Sequence, residues 1–435
     1  MTPAGQFAAA IDLLGLIEAD PRPADAIANQ FFRGRRFIGG GDRRTISALV
    51  WGVLRTRLHL GWWLERLSAP QTPRLLLAAQ ALFAGQSLQR VSSLFAAERY
   101  GPPPLAPWEA EILDRLSTRT LEHPDMPEAV KLEIPGWLLP RLSAQFGNAL
   151  AAEMQAMNGP APLDLRVNLL KASREEAIAA LARDGLVAEP TPLSPWGLRL
   201  KTRQPVTASS AFQSGLVEIQ DEGSQLIALA LDARPGMRVA DYCAGAGGKT
   251  LAIAMGMANK GHIVACDVSA PRLDGAIKRL RRAGVHNAER HLLEPGDKWV
   301  KRQAGKFDRV LVDAPCTGTG TWRRNPDARL RLTEHDLAEL TAKQAAILDQ
   351  AQRLVKPGGV LVYATCSLLR EENEDQVEAF IARHPEFSRQ PLQAPAALSG
   401  EPYLRLSPAR HGTDGFFAAI LTRAPAIVAI APDGL

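Results

Sequence analysis

Cysteine is scarce in this chain: four in 435 residues, all in the second half, at 243, 266, 316 and 366. No two fall in a Cys-x-x-Cys spacing, and there is no ladder of the kind that staples small secreted domains. The thiols are therefore expected to be free, in a reducing compartment. Metal is not expected either. The one close Cys/His pair, His262 with Cys266, reads as two residues of a strand rather than as part of a zinc site. Runs of about 18 apolar residues, long enough to span a bilayer as a helix, are absent. Residues 1–20 carry Asp12, Glu18 and Asp20 and no basic leader before an apolar core, so no signal peptide is expected and the natural location is the cytoplasm. Neither charge sign dominates: 51 Lys and Arg against 46 Asp and Glu leave +5, a weak lean toward an anionic partner. The clusters are more telling than the sum. They are Arg33-Gly34-Arg35-Arg36 with Arg43-Arg44, Lys278-Arg279 with Arg281-Arg282, and Arg323-Arg324 followed by Arg329 and Arg331.

No internal repeat is present, but the texture changes along the chain. Residues 1–135 read as helical: Ile46, Leu49, Val50, Val53 and Leu54 recur at helical spacing behind Gly39-Gly40-Gly41-Asp42, with Asp42 as the expected N-cap. Arg43 and Arg44 would then occupy a first turn, where the helix dipole disfavours cations, which hints at a partner. Ile134-Pro135-Gly136 marks an expected boundary. Beyond it, Leu163 to Leu169 reads as a strand and Ser173-Arg174-Glu175-Glu176 as a capping box opening a helix that ends near Asp184-Gly185. Residues 136–216 thus form a small α+β module. From Val217 onward apolar strands alternate with helices, the pattern of a βαβ sheet. After Arg423 a short, apolar, Pro-interrupted stretch, 425–435, reads as a loose tail.

Two thiols sit just past short apolar runs. Arg309-Val310-Leu311-Val312 precedes Asp313-Ala314-Pro315-Cys316, and Val360-Leu361-Val362-Tyr363, behind Pro357-Gly358-Gly359, precedes Thr365-Cys366-Ser367. In an open parallel sheet, residues past the carboxyl ends of strands line the ligand crevice, so covalent chemistry by these thiols is expected. Between Val239 and Leu251 a third strand end carries Cys243-Ala244-Gly245-Ala246-Gly247-Gly248-Lys249-Thr250. A phosphate loop of the Walker type needs glycine where Cys243 stands, and the dinucleotide fingerprint needs it at Thr250. Both spacings fail. What remains is a nucleoside ligand without phosphates, of which S-adenosylmethionine is the common example. Asp267, at the end of Ile263-Val264-Ala265-Cys266, is placed to accept from ribose hydroxyls.

The glycine loop, Asp267, Asp313-Ala314-Pro315-Cys316-Thr317-Gly318-Thr319-Gly320 and Tyr363-Ala364-Thr365-Cys366-Ser367 occur in the order seen in RNA cytosine-5 methyltransferases. Together they closely resemble the Sun/RsmB family of bacterial ribosomal RNA enzymes. The resemblance continues in Leu165-Arg166-Val167-Asn168, in Val217 to Gln225, in Glu371-Glu372-Asn373-Glu374 and in Asp414-Gly415-Phe416-Phe417, and so spans about residues 135 to 423. Residues Asp42 to Leu54 resemble, more loosely, a NusB-like RNA-binding domain. The fold this implies is α/β: a Rossmann-like methyltransferase domain with a mostly parallel seven-stranded sheet at 217–424, preceded by the small α+β RNA-binding module and the all-helical NusB-like domain.

The resemblance also implies roles. Cys243, Ala244, Gly245, Ala246, Gly247, Gly248 and Lys249 match the S-adenosylmethionine loop, although the family usually has proline at the position of Ala246. Asp267 matches the ribose acid and Asp313 the acid grouped with the cofactor site. The adenine-side acid falls at Glu294, with Asp297 as the neighbouring alternative. Cys366 matches the nucleophile and Cys316 the cysteine that assists product release. Carbon 5 of cytosine must first be activated, and a thiolate adding at carbon 6 does this because it is a strong nucleophile that can leave again. RNA phosphates are expected to meet Arg166, Asn168, Arg323 and Arg324, and the protein to act as a monomer. The competing readings are a transfer RNA methyltransferase and a non-catalytic RNA-binding assembly factor.

Overall fold

A computed structural model describes residues 1–95, 100–202, 204–393 and 395–426. From 427 onward the expected loose tail lies outside the described residues. The chain forms two compact units, Met1–Pro160 with Thr321–Leu332, and Ala161–Gly320 with Thr333–Leu435.

The first unit is helical. Its core gathers Phe7, Leu13, Leu14, Ile46, Val50, Val53, Leu54 and Leu75 to Leu77, all essentially inaccessible. The helix expected from Asp42 starts at Gly40 and runs to Arg55, and its buried stripe is Ile46, Val50, Val53 and Leu54. Gly39 rather than Asp42 is the N-cap. The Asp42 carboxylate sits one turn in, where it accepts from Gln6 Nε2 at 2.8 Å and pairs with the Met1 amino group at 3.2 Å. The helices Leu139–Phe146 and Leu150–Asn158, which follow Ile134-Pro135-Gly136, still pack with this unit, whose first segment ends at Pro160.

An excursion from the far half of the chain completes the unit. Within 321–332, Trp322 and Arg329 are buried to the last few percent. Arg329 donates through Nη1 to the Glu133 carbonyl at 3.1 Å and to Asn158 Oδ1. Asp327 Oδ2 accepts the Ala24 amide at 3.0 Å, satisfying a donor that helix Ala24–Gly34 would otherwise leave open.

The second unit carries two sheets. In the smaller, β1 (Asp164–Val167), β2 (Ala188–Pro190), β3 (Gly197–Leu200) and β4 (Val217–Ile219) lie in the order β2-β3-β1-β4, all antiparallel. The capping box forms as expected: Ser173 Oγ accepts from the Glu176 amide at 3.2 Å while Glu176 Oε2 accepts from the Ser173 amide at 2.7 Å. Helix Arg174–Arg183 follows.

Among the described residues the larger sheet has eight strands, one more than expected. β5 (Arg238–Asp241), β6 (His262–Asp267), β7 (Ala288–Leu292), β8 (Phe307–Asp313) and β9 (Val355–Thr365) are parallel neighbours in the order β7-β6-β5-β8-β9. β10 (Phe387–Gln390), β11 (Leu404–Leu406) and β12 (Phe416–Arg423) add antiparallel pairings, β12 against β9 and β10 and β11 against β12. Leu404–Leu406 is the extra strand. Its three residues are too few to stand out by period. The order of connection reverses between β5 and β8, which opens a crevice at their carboxyl ends. Pro357-Gly358-Gly359 does not precede the strand but lies in it, and the register slips there between Phe307 and Arg309 of β8. Among the described residues no helix is long and apolar enough to cross a membrane.

Candidate active site

At the switch point lies a cleft of about 1010 Å3, lined by Tyr242 to Ala246, Asp267, Glu294, Asp313 to Cys316, Lys343 and Cys366, among others. Its floor is built by strand ends. β5 delivers the glycine loop, which turns through Gly245 (φ +54°) and Gly247 (φ +77°), values that glycine adopts without a Cβ penalty. A Cβ at Gly245 would meet open space, so a ligand can lie directly on this backbone. β6 ends in Asp267, whose Oδ2 accepts from the Gly245 amide and Oδ1 from the Ser269 amide, both at 2.8 Å. Each oxygen keeps a lone pair for a further donor. After β7 comes Glu294, on the cleft wall. Asp297 is held elsewhere, by His291 Nε2 at 2.7 Å and the Trp299 amide at 2.8 Å.

The donor set fits a nucleoside carrying hydroxyl and amino groups. Asp267 and Glu294 line the cleft with the loop, and the one loop cation is spent: Lys249 Nζ donates to Asp313 Oδ2 at 2.6 Å. Burial alone would pull the Lys249 ammonium down, yet attraction to Asp313, their hydrogen bond and the nearby Asp241 raise it on balance. Asp241 itself is buried behind the loop. Its Oδ2 accepts from Thr250 Oγ1 at 2.7 Å, Oδ1 has no partner, and burial first of all pushes its carboxyl up to about 6. Arg279 Nη1 ties the far side of the loop by donating to the Ala246 carbonyl at 2.8 Å.

At the other end of the cleft the two expected thiols come together. Cys316 Sγ and Cys366 Sγ are 3.4 Å apart. The hydrogen bond to Cys366, then burial, raises the Cys316 thiol well above its ordinary range. Cys243 and Cys266 are likewise pushed up, chiefly by burial, and neither is poised to react.

Side chains lock the two thiol-bearing loops to each other. Glu372, fully buried, accepts from the Thr317 amide at 2.8 Å, from Thr317 Oγ1 at 2.5 Å and from Gln344 Nε2 at 2.9 Å. Gln344 also donates to the Pro315 carbonyl at 2.9 Å. Ser367 Oγ lies 3.1 Å from Thr319 Oγ1, which accepts the Leu368 amide at 2.8 Å. Gly320 donates to the Cys366 carbonyl at 2.9 Å and accepts from Gly415 at 2.7 Å; a Cβ on Gly320 would stand 2.2 Å from the Gly415 carbonyl oxygen. This crossing of bare backbones explains why Gly415 follows Asp414 here. Glu372 lies in a segment quoted for its family resemblance but carried no role, and nothing in the sequence around Gln344 marks it.

Three of the four expected RNA contacts need correction. Arg166 and Asn168 lie on and just beyond β1 and are buried. Arg166 donates to Gln220 Oε1 and, at 2.9 Å, to the Gly248 carbonyl, while burial pulls its guanidinium down to about 10. Asn168 Nδ2 donates to the carbonyls of Gly215 and Ala283 at 2.9 and 2.8 Å. Both side chains hold the second unit together rather than face a polyanion. Arg323 is buried in the helical unit, where Arg55 Nη2 donates to its carbonyl, and Arg324 is half-buried in the same segment. Charge in a sequence does not report burial.

Residues 228–422 match the family described as 16S rRNA methyltransferase RsmB/F, and residues 134–207 match the ferredoxin-like domain of RsmF/B-like methyltransferases. The ribosomal RNA small subunit methyltransferase B of Xanthomonas campestris is 33% identical over 391 residues, covering 88% of this chain and 89% of that protein. The protein of the same description from Salmonella newport is 32% identical over 403 residues, covering 88% and 91%. Among solved structures, a methyltransferase homolog protein from Pyrococcus horikoshii is 31% identical, with a TM-score of 0.60 over 69% of this chain and 100% of that one.

Proposed function

This chain belongs to the RsmB/F family of 16S rRNA methyltransferases, and from that premise we propose that it methylates carbon 5 of a cytosine in 16S ribosomal RNA through a transient bond to Cys366, acting in the cytoplasm as a single chain. The observation that carries the reading is the 3.4 Å approach of the two sulfurs in one cleft with a glycine loop and two strand-end acids. S-adenosylmethionine, when bound, supplies an electrophilic methyl group on a cationic sulfur. The backbone from Cys243 to Gly248, with Asp267 and Glu294, would hold its nucleoside.

The chain's own side chains then do the following. The Cys366 thiolate adds to carbon 6 and forms a carbon–sulfur bond, and the displaced ring electrons make carbon 5 nucleophilic. Asp313 is fixed by Lys249 through one oxygen, and its other oxygen accepts from the base edge. After carbon 5 has gained its methyl group, loss of its proton returns an electron pair to the ring and expels the Cys366 thiolate. A water held by Cys316, or Cys316 itself as the thiolate, accepts that proton. Reaching the ring carbons requires the target base to be unpaired or extruded.

The test is methyl transfer from tritiated S-adenosylmethionine to unmodified 16S rRNA and to unmodified tRNA, combined with gel analysis of covalent complexes. Cys366→Ala is expected to give neither product nor adduct, and Cys316→Ala to accumulate an adduct. An adduct with Cys366→Ala instead would reverse the two roles. Methylation of tRNA alone would overturn the ribosomal assignment, and no methylation of either RNA would overturn the enzymatic reading.

A further inference from the structure

With Arg166, Asn168 and Arg323 withdrawn from the surface, the most cation-rich exposed feature of the helical unit is the turn between helices Ala24–Gly34 and Gly40–Arg55. Residues 31–45 contain five arginines and one acid. Phe37, at the apex, is 74% exposed, while its neighbour Ile38 is 1% exposed and Phe31 is 3% exposed. The core has taken Phe31 and Ile38 but not Phe37. A turn closed by the Ile38 amide donating to the Arg35 carbonyl at 3.0 Å leaves the Phe37 ring outside.

Two arginines brace this turn. The Arg35 guanidinium lies 3.8 Å from the Phe31 ring centroid, and Arg43 donates through Nε to the Ile38 carbonyl at 2.9 Å. Asp42 is already occupied by Gln6 and the Met1 amino group. Arg33, Arg36 and Arg44 are exposed and have no ion pair among the described residues. A braced turn that presents one apolar ring among unneutralised guanidinium groups suits a polyanion with flat apolar faces. Paired bases hide those faces, whereas unpaired ones offer them.

We propose that this turn is an RNA-docking tip, on which Phe37 stacks an unpaired base and Arg33, Arg36 and Arg44 meet the adjoining phosphates. The proposal rests on the RNA substrate assigned above and adds where, and in what form, that RNA is gripped.

The experiment is fluorescence anisotropy of the full-length protein with a short fluorescein-labelled single-stranded RNA and with the duplex of the same sequence, over a salt series. Phe37→Ala should weaken single-strand binding about 5- to 100-fold, the usual worth of one stacked base, and leave duplex binding within about twofold. Phe37→Trp should restore it. Arg36→Ala should reduce the log–log salt slope for the single strand by about 0.7, the share of one phosphate. Wild-type protein that binds neither RNA would overturn this proposal and the substrate reading together. Wild-type binding that Phe37→Ala leaves unchanged would overturn the tip alone and reassign it to a protein partner.

Discussion

The two ends of the cleft are made in different ways. At the nucleoside end the shape is set by backbone: a glycine turn, three strand ends and the amides that point at Asp267. At the thiol end it is set by side chains, with Glu372, Gln344, Thr319 and Ser367 joining loops far apart in sequence. Backbone geometry tolerates exchange of the side chains around it. A side-chain lattice fails when any one member is removed, because each buried donor or acceptor left alone costs as much as the bond was worth or more.

The sharpest way to break this comparison is Glu372→Ala. It removes the acceptor of the Thr317 amide and one partner each of the Thr317 hydroxyl and the Gln344 amide, which keep Ser367 Oγ and the Pro315 carbonyl, so a loss of roughly 2–5 kcal/mol is expected in urea unfolding. Because the loop carrying Cys316 would shift, turnover should fall about 100-fold, as displacements of an ångström do. Turnover within about tenfold of wild type would mean that the lattice does not hold the thiols.

The same contrast explains what could be read from the residues alone. The glycine loop, Asp267 and the two thiols are each recognisable within a dozen residues, since their job is set by local turn chemistry at a strand end. The thiol lattice is not. Thr317 and Glu372 are 55 residues apart, Gln344 and Glu372 are 28 apart, and only the folded β8–β9 pairing brings them together. Arginine was the least legible residue type. Arg166, on a fully buried strand, and Arg329, under Trp322, look in sequence like Arg36, which stands in solvent. Nor is there a local sign that Thr321–Leu332 leaves the catalytic unit to pack among helices, because its hydrogen-bond partners include residues 171 to 314 positions away.

A middle-sized effect should come from a buried acid at the backbone-built end. Asp241 is raised from 3.8 to about 6, first by burial, with Asp313 and Asp267 adding to it and Thr250 and Lys249 partly offsetting it. For an acid whose folded value is the higher one, the native state keeps a proton that the unfolded chain has released. Stability is then lost as pH rises from about 4 to 6, by roughly 3 kcal/mol for this group, and is flat above. Asp241→Asn should remove that fall, measured as the difference between variant and wild-type urea stabilities at pH 4, 5, 6 and 7. A difference that does not change with pH would place the Asp241 charge in an environment no different from that of the unfolded chain.

The smallest effect should belong to Asp267, and it separates the two ends most cleanly. Asp267→Asn keeps one acceptor oxygen for the loop and replaces the other with an amide that donates where a ribose hydroxyl would also donate. Losing one charged hydrogen bond is worth about 1.5 kcal/mol, so affinity for S-adenosylhomocysteine should fall about tenfold by calorimetry. At saturating cofactor the turnover number should stay within about twofold, because no bond from Asp267 reaches the lattice around Cys316 and Cys366. A turnover number that fell along with affinity would show that the nucleoside end sets the thiols as well, through the β5 and β6 strand ends, and the two halves of the cleft would then have to be treated as one.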